Sequence, residues 1–194
     1  MTSEHPGNID SEEIDQVIQQ IKKGDIDKFR VIIEKYQKRV YLYSYYLLND
    51  KEQVDDAVQD IFIKVYQHIG DYTKTVSFSA WIHKIAYNHS MNLNKKKFRD
   101  YQLLLDCQDF NTVSSTNNNQ KNYIDVLLQQ LSFNEKYILL LRAVEDYSFE
   151  EMGHVLNITA ANARKKYERI RKKLNRYRNG GHEEHEKTLG TTRG

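Results

Sequence analysis

The residues with the clearest chemical potential are cations clustered near the end of the chain, where they could bind phosphate. They share helical spacing with an amide and one acid: Asn162, Arg164, Lys165, Glu168, Arg169 and Lys172. Arg and Lys bind phosphate oxygens, and Arg, Asn and Glu also form hydrogen bonds with DNA base edges. The pattern predicts a surface that binds duplex DNA. A basic helix exposed to solvent is the simpler explanation of the charge alone.

Two helices joined by a tight turn would position these side chains. Ser148 and Glu151 have the spacing of a capping box, which begins the first helix. Asn157 tolerates the left-handed conformation that ends a helix, and Thr159 is a good N-cap for the next one. The second helix has an apolar stripe at steps of three and four: Ala163, Tyr167, Ile170, Leu174 and Tyr177. The stretch from Ser148 to Arg171 is therefore predicted to be a helix-turn-helix whose second helix enters the major groove.

A second candidate surface lies on the helix predicted at about residues 51–69. One side of this helix is apolar and predicted to face a core, whereas another face holds Asp56, Gln59, Asp60 and Ile63. An acidic, amide-bearing face with an exposed apolar residue could dock a basic partner helix. Spacing alone favours the simpler explanation that these are ordinary solvent-facing acids.

A third candidate surface combines aromatic, amide and cationic side chains on the helix predicted to begin at Phe78. Its members away from the apolar side include Lys84, Tyr87, Asn88, Asn92, Lys95 and Lys96. Such side chains stack on bases and hold phosphates, as single-strand binding requires. His83 and His89 lie on the same helix and are predicted to face DNA or solvent. The alternative is a buried Trp81 followed by a solvated basic end.

Composition and the order of the elements predict an all-α protein with two helical domains. The 194 residues include one Pro and eight Gly, and 29% are charged. Residues 105–122 are poor in apolar residues and rich in Asn, Ser, Thr and Gln, which predicts a flexible linker. This linker separates a domain at 11–104 from a domain at 123–178. The segments 1–10 and 179–194 are predicted to be disordered.

No motif in the sequence supports an enzyme or a metalloprotein. The chain has no Walker loop, no paired-glycine fingerprint and no GxSxG motif, so no catalytic residue and no cofactor are predicted. His182 and His185 could bind zinc, but they lie in a polar tail, and no metal site is predicted. Cys107 is the sole cysteine, so an intrachain disulfide is impossible. Without a signal peptide or a membrane-spanning apolar run, we expect a cytoplasmic protein with no membrane insertion.

Two blocks of the sequence resemble the extracytoplasmic-function (ECF) group of bacterial sigma-70 factors, the subunits that give RNA polymerase its promoter specificity. The first block, DDAVQDIFIKVYQHIGDY followed by FSAWIHKIAYN, resembles region 2. The second, LLQQLSFNEKYILLLRAVEDYSFEEMGHVLNITAANARKKYERIRKKL, is similar to region 4. The pairing and order of the blocks are more specific than either block alone. They favour a functional role for the acidic face at Asp56.

The resemblance implies a partner for each block. The region 2 helix is implied to bind the clamp helices of the polymerase β′ subunit through the residues that match the family motif: Asp56, Val58, Gln59, Asp60, Phe62 and Ile63. The following loop and helix are implied to capture the −10 element as it melts, which adds Tyr72 to the third surface. The helix-turn-helix is implied to read the −35 element, with the β flap as its polymerase partner. An anti-sigma factor is a further implied partner.

The sequence also departs from the family pattern. Ala161, Asn162 and Ala163 replace the usual Gly-Thr-Val of the recognition helix, so the −35 preference is not predicted. Asn92 and a run of lysines replace the usual Asp and Arg-rich run, so the −10 sequence is not predicted either. The inducing signal and the role of the tail are likewise not predicted. A stand-alone helix-turn-helix regulator and an adaptor that binds only protein are the alternative functions.

Overall fold

Helices account for all regular structure in the described part of the chain. The computed structural model describes the backbone of residues 9–48, 51–107 and 123–189, and the side chains of residues 12–48, 53–100 and 126–177. The helices are α1 (Ile9–Lys22), α2 (Phe29–Leu48), α3 (Lys51–His68), α4 (Phe78–Cys107), α5 (Tyr123–Gln129), α6 (Phe133–Val144), α7 (Phe149–Leu156) and α8 (Ala160–Leu189), with 3-10 turns at Ile26–Lys28 and Ile69–Asp71. They divide into two compact units. The predicted all-α fold with two helical domains is confirmed.

The N-terminal unit is built by α1 to α4, whose apolar faces share a core. Each helix contributes side chains at steps of three and four, the spacing that places residues on one helical face. The core includes Ile14 and Ile18 of α1, Ile32, Tyr36 and Val40 of α2, Ile61 and Val65 of α3, and Phe78, Ile82 and Ala86 of α4. Helix α2 packs against both α3 and α4, and α3 packs against α4. The polar faces of α3 and α4 are thereby held on the outside of a fixed scaffold.

The C-terminal unit contains α6 packed against α8. A capping box begins α6: the Glu135 N–H donates to Ser132 Oγ at 3.4 Å, and the Ser132 N–H donates to Glu135 Oε2 at 2.8 Å. The ammonium of Lys173 also donates to Glu135 Oε2 at 3.1 Å. One carboxylate therefore caps α6 and links it to α8.

Helix ends differ from the sequence prediction at three places. Helix α1 begins at Ile9, whereas residues 1–8 of the predicted disordered N-terminus lie outside the described residues. Helix α4 continues to Cys107, and residues 108–122 of the predicted linker lie outside the described part. Helix α8 continues to Leu189, so most of the tail predicted to be disordered from residue 179 is helical. Gly180 and Gly181 weaken a helix by only about 1 kcal/mol each, and the Glu and Lys residues that follow favour it.

Candidate nucleic-acid interface and helix-docking surface

The helix-turn-helix predicted from Ser148 to Arg171 is formed by α7 and α8, and its two predicted caps are present. The Glu151 N–H donates to Ser148 Oγ at 3.2 Å, and the Ser148 N–H donates to Glu151 Oε2 at 2.9 Å, which closes the capping box of α7. At the start of α8 the Asn162 N–H donates to Thr159 Oγ1 at 3.2 Å. These bonds satisfy backbone donors that the first turn of a helix leaves unpaired. The two helix starts are therefore fixed by local interactions.

The turn between α7 and α8 has the hydrogen bonds of a Schellman motif. Asn157 has a φ of 56°, as its predicted left-handed conformation requires. The Ile158 N–H donates to Gly153 O at 2.9 Å, and the Asn157 N–H donates to His154 O at 3.4 Å. This geometry brings Ile158 O so close to Gly153 that a Cβ there would lie 2.7 Å from it. Glycine is thus needed at position 153 by the close approach of the turn.

The predicted DNA-contacting residues of α8 lie on its exposed side. Ala163 and Ile170 are buried and hold the opposite side against the unit, whereas all six predicted residues are exposed. One groove collects five of them together with residues of α7 and the start of α8: Arg164, Lys165, Glu168, Arg169 and Lys172 with Phe149, Glu150, Ala160 and Ala161. Asn162 is exposed outside this lining. The groove therefore offers four cations and two acids on a single face, and the cations are suited to the phosphates and base edges of a DNA groove.

Phe149 is a residue of this site that the sequence analysis missed. Its ring centroid lies 5.0 Å from the guanidinium carbon of Arg164 and 5.7 Å from that of Arg142. The ring of Tyr167 lies 6.1 Å away at an interplanar angle of 56°. An aromatic residue directly after the N-cap of α7, one helix before a cluster of Arg and Lys residues, was the signal that could have identified it.

The loop between α3 and α4 is attached to the N-terminal core by Tyr72. Its hydroxyl donates to Val76 O at 2.8 Å, and its own carbonyl accepts from the Lys22 ammonium at 2.8 Å. The Tyr72 ring packs with Phe78 and Trp81 at centroid distances of 5.0 and 5.5 Å. Burial, with Asp15 nearby, raises the pKa of the Tyr72 hydroxyl. Tyr72 therefore supports the loop from inside instead of presenting a free ring.

The remaining residues predicted for single-strand binding are divided between the core and the surface of α4. Tyr87 is buried, and burial raises the pKa of its hydroxyl. Lys84 is half-buried, whereas Asn88, Asn92, Lys95 and Lys96 are exposed. Asn92 and Lys95 line a groove with Phe98, whose side chain is 63% exposed. Phe98, which the sequence analysis did not single out, is the exposed aromatic ring of this surface.

His83 and His89 were predicted to face DNA or solvent, and the structure shows both to be buried. The reason is that α4 packs against both α2 and α3, so its buried face is wider than one apolar stripe. The His83 ring lies 4.5 Å from the Tyr43 ring. His89 accepts at Nδ1 from the Lys64 ammonium, and its Nε2 lies 3.6 Å from Asp60 Oδ2. Burial and Lys64 lower the pKa of His89, against an opposing effect of Asp60.

The six residues predicted to form a docking face on α3 are divided between two grooves. Val58, Gln59, Phe62 and Ile63 line a groove with Phe29, Ile33, Gln37, Asp55, Tyr66 and Gln67, which we call the α2/α3 groove. Asp56 and Asp60 line a second groove with Gln53, Ala57, Leu93, Lys96, Lys97 and Asp100, the α3/α4 groove. Phe62 is buried, whereas Ile63 is 46% exposed. Helix α3 therefore presents an apolar surface on one side and carboxylates beside lysines on the other.

Two family profiles match different parts of the chain. Sigma-70 region 2 matches residues 32–99, and sigma-70 region 4 matches residues 121–174. The ECF RNA polymerase sigma factor SigW of Bacillus subtilis (strain 168) is 27% identical over 174 residues, which cover 81% of this chain and 92% of SigW. The chain belongs to the ECF group of the sigma-70 family. This family consists of transcription initiation factors, which confirms the prediction that the chain is not an enzyme.

Other comparisons agree with this placement of the sigma factor. The ECF RNA polymerase sigma-E factor of Haemophilus influenzae is 21% identical over 175 residues, which cover 81% of this sigma factor and 91% of the relative. The structure of CnrH in complex with the cytosolic domain of CnrY has a TM-score of 0.64 at 20% identity and covers 84% of this chain and 96% of that one. The structure of RpoE with the anti-sigma factor NepR from Bartonella quintana has a TM-score of 0.62 at 16% identity, with coverages of 85% and 98%. These structures share the fold of the sigma factor.

The last two sequence predictions concern membrane insertion and zinc binding. Among the helices in the described part of the sigma factor, none combines the length and the apolar character that a bilayer crossing requires. His182 and His185, which the sequence analysis considered as zinc ligands, lie beyond residue 177, where side chains are not described.

Proposed function

We propose that this sigma factor binds core RNA polymerase through α3 and directs it to promoters through the exposed faces of α4 and α8. The observation that supports this most is the presence of the two family regions in this order along the chain. Region 4 contains a capped helix-turn-helix, and five of its six predicted DNA residues, all except Asn162, share one exposed groove. A cytoplasmic location, where RNA polymerase acts, belongs to the same proposal.

Core polymerase is proposed to dock on both sides of α3. Gln59 and Ile63 at the α2/α3 groove provide an amide and an exposed apolar contact, and Phe62 supports them from the core. On the other side, Asp56 and Asp60 provide carboxylates for basic residues of a partner helix. Apolar contacts would supply most of the affinity, and the carboxylates would select the partner and its register.

The melted −10 strand is proposed to bind along the exposed face of α4. Asn88 and Asn92 can form hydrogen bonds with base edges, while Lys95 and Lys96 neutralise phosphates. Tyr72 and Tyr87 are buried, so their proposed role is to hold the loop and helix in place. Phe98 is the exposed ring on which a base can stack.

The −35 duplex is proposed to bind the groove between the start of α7 and α8. Arg164 lies near the beginning of α8, the part of a recognition helix that reaches base edges. Lys165, Arg169 and Lys172 follow on the same exposed face and are suited to phosphates. Two weak DNA contacts become strong when polymerase holds both units, because tethering raises the effective concentration of the second site.

An anti-sigma factor is the proposed inhibitory partner, and the α2/α3 groove is its proposed target. RpoE of Bartonella quintana, which has a similar fold, is bound to the anti-sigma factor NepR in its structure. In this chain Ile63 and Tyr66 are 46% and 39% exposed beside the groove, a surface that a partner can cover. An inhibitor on this surface would compete directly with core polymerase.

Run-off transcription with purified core polymerase tests the proposed function. Transcript starts are first mapped after overexpression of the sigma factor, and a mapped promoter is then used as template. We expect initiation at the mapped start only when the sigma factor and core enzyme are both present. Binding to operator DNA without polymerase would favour a stand-alone regulator, and neither activity would favour an adaptor. Either result would contradict the proposal.

A double variant tests the docking surface on α3. Gln59→Ala with Asp60→Ala should lower the affinity for core polymerase, because it removes one polar group from each groove. The matched control is Glu13→Ala with Gln16→Ala, which removes an acid and an amide from α1, outside both grooves. Affinity can be measured by co-elution and by competition with a labelled wild-type chain. Equal affinity of the two double variants would refute the assignment of this surface.

Arg164→Ala tests the −35 surface. If Arg164 reads a base, the variant should bind the −35 duplex about 1–3 kcal/mol more weakly and lose preference at one base pair. If the loss is the same for all sequences, Arg164 contacts a phosphate instead. Lys166→Ala is the control, because Lys166 is an exposed cation of α8 outside the groove lining.

A further inference from the structure

The ring of Phe149 joins the first helix of the helix-turn-helix to a cation on the second. Phe149 is the first residue of α7, and its side chain is half-buried. The guanidinium carbon of Arg164, on the exposed side of α8, lies 5.0 Å from the ring centroid. A cation within about 6 Å of an aromatic centroid is attracted by the negative face of the ring. Arg164 is therefore held by a residue of the preceding helix.

The Phe149 ring is itself fixed by neighbours on two helices. Arg142 of α6 lies 5.7 Å from the ring centroid. Its guanidinium donates to Tyr147 O at 2.8 Å and pairs with Asp146 Oδ1 at 3.0 Å, which anchors it to the turn before α7. Tyr167 contacts the ring from α8. The ring therefore offers Arg164 a defined surface.

From these contacts we infer that Phe149 is a positioning residue that sets the orientation of Arg164 for reading a −35 base pair. The inference rests on the proposed function of the α7–α8 groove. A guanidinium forms two parallel hydrogen bonds only when its plane matches the base edge, so a fixed orientation favours discrimination between bases. An arginine held in its bound orientation also loses less conformational freedom on binding.

A double-mutant cycle on the complete sigma factor bound to core polymerase tests the inference. The probe is a duplex with the −35 segment of a mapped promoter, and its dissociation constant is measured by mobility shift. Phe149→Leu keeps apolar bulk but removes the ring, and it should weaken binding about three- to tenfold. Phe149→Tyr, which keeps the ring, should restore the affinity. In an Arg164→Ala background, Phe149→Leu should have no further effect.

Lys165 provides the control for the cycle. Lys165 lines the same groove, but the Phe149 ring contacts Arg164, so Phe149→Leu should keep its full effect in a Lys165→Ala background. The measurements are made at reduced salt, where electrostatic binding is stronger and the Arg164→Ala complex remains measurable. Phe149→Leu should also lose preference at the same base pair as Arg164→Ala when each −35 position is substituted in turn.

The outcomes separate this inference from the proposed function. A wild-type complex without any −35 preference would refute the proposed function of the groove. Suppose that the wild type shows a −35 preference, and that Phe149→Leu loses the same affinity in the Arg164→Ala and wild-type backgrounds. This result would refute only the positioning role. It would show that Phe149 acts through the stability of the helix-turn-helix. A loss of preference at a different base pair would also contradict the link to Arg164.

Discussion

Replacing Gly153 with alanine separates helix propensity from the steric demand of the turn. Judged as a residue of a helix, Gly153 destabilises α7, and alanine should stabilise it by about 1 kcal/mol. In the structure, however, a Cβ at position 153 would lie 2.7 Å from Ile158 O and 3.3 Å from Ala160 N. Both neighbours are backbone atoms, one in the turn and one at the start of α8, and cannot rotate away. The turn must therefore shift as a whole.

The expected net effect of Gly153→Ala is a loss of stability. Overpacking a tight site costs about 1–3 kcal/mol, which exceeds the gain in helix propensity. We expect the free energy of unfolding to fall by about 1 kcal/mol and Tm by about 4–8 °C in a small domain. Because the Ile158 N–H also donates to Gly153 O, a shift of the turn should move α8 relative to α7 and weaken −35 binding.

Gly24 and Gly70 provide matched controls for this prediction. A Cβ added at Gly70 would meet nothing within 4 Å, so Gly70→Ala should be neutral or stabilise by about 0.4–1 kcal/mol. Gly24 has a φ of 103° in the turn after α1, so Gly24→Ala should destabilise through backbone strain without a clash. Thermal and urea unfolding followed by circular dichroism compare the three variants. A gain from Gly153→Ala as large as that from Gly70→Ala would refute the steric reasoning.

Three further predictions concern polar groups of the two units. Burial and Lys64 lower the pKa of His89, so the unfolded chain binds this proton at a higher pH than the folded chain does. The free energy of unfolding should therefore fall as the pH drops through about 6.5. His89→Gln should flatten this pH dependence in urea titrations at about pH 7.5 and about pH 5.5, and an unchanged dependence would contradict the prediction. Burial alone would raise the pKa of Glu135, but the hydrogen bonds from the Ser132 N–H and Lys173 outweigh burial, so the pKa is lowered overall. Lys173→Met should therefore lower the free energy of unfolding by up to about 1 kcal/mol at neutral pH. The difference from the wild type should shrink below about pH 4.5, where the carboxylate is protonated. A pH-independent difference in unfolding titrations would show that packing is responsible. Ser148→Ala should lower the free energy of unfolding by about 1 kcal/mol by removing the cap of α7, and Ser148→Asp should retain most of the stability. If the cap contributes nothing, Ser148→Ala will be as stable as the wild type.

Local hydrogen bonds of the helix-turn-helix could be predicted from the sequence because they depend on residues close together in the chain. The capping box at Ser148 and Glu151 and the N-cap at Thr159 need only the right side chain at the right spacing. The left-handed Asn157 needs only a residue that tolerates this conformation. Gly153 could be predicted only as an unfavourable helix residue, because the carbonyl that requires it belongs to Ile158, in the turn that follows the helix.

The widths of buried faces could not be predicted, because they depend on how many helices pack around each element. His83 and His89 are polar and fall outside the apolar stripe of α4, yet both are covered by neighbouring helices. Tyr72 and Tyr87 were predicted to face DNA and are buried for the same reason. Periodicity gives the centre of a buried face, whereas its edges depend on tertiary packing.

The division of α3 into two grooves could not be predicted either. Helical spacing placed Asp56, Gln59 and Ile63 on one face, and the family motif added Phe62. The structure separates Asp56 from Gln59 because α2 and α4 pack against different sides of α3. A single amphipathic helix thus gains two chemically different surfaces from its neighbours.

The aromatic cluster beneath the α3–α4 loop makes the protein its own optical probe. Trp81 is the only tryptophan in the chain, and its ring lies 5.5 Å from Tyr72 and 5.3 Å from Phe78. Indole emission is sensitive to the polarity and the packing of its surroundings, and no label has to be introduced. If promoter melting displaces the loop from its anchor on Tyr72, the emission of this single indole will change in step with strand capture. Stopped-flow recording could then time that event in the unmodified sigma factor.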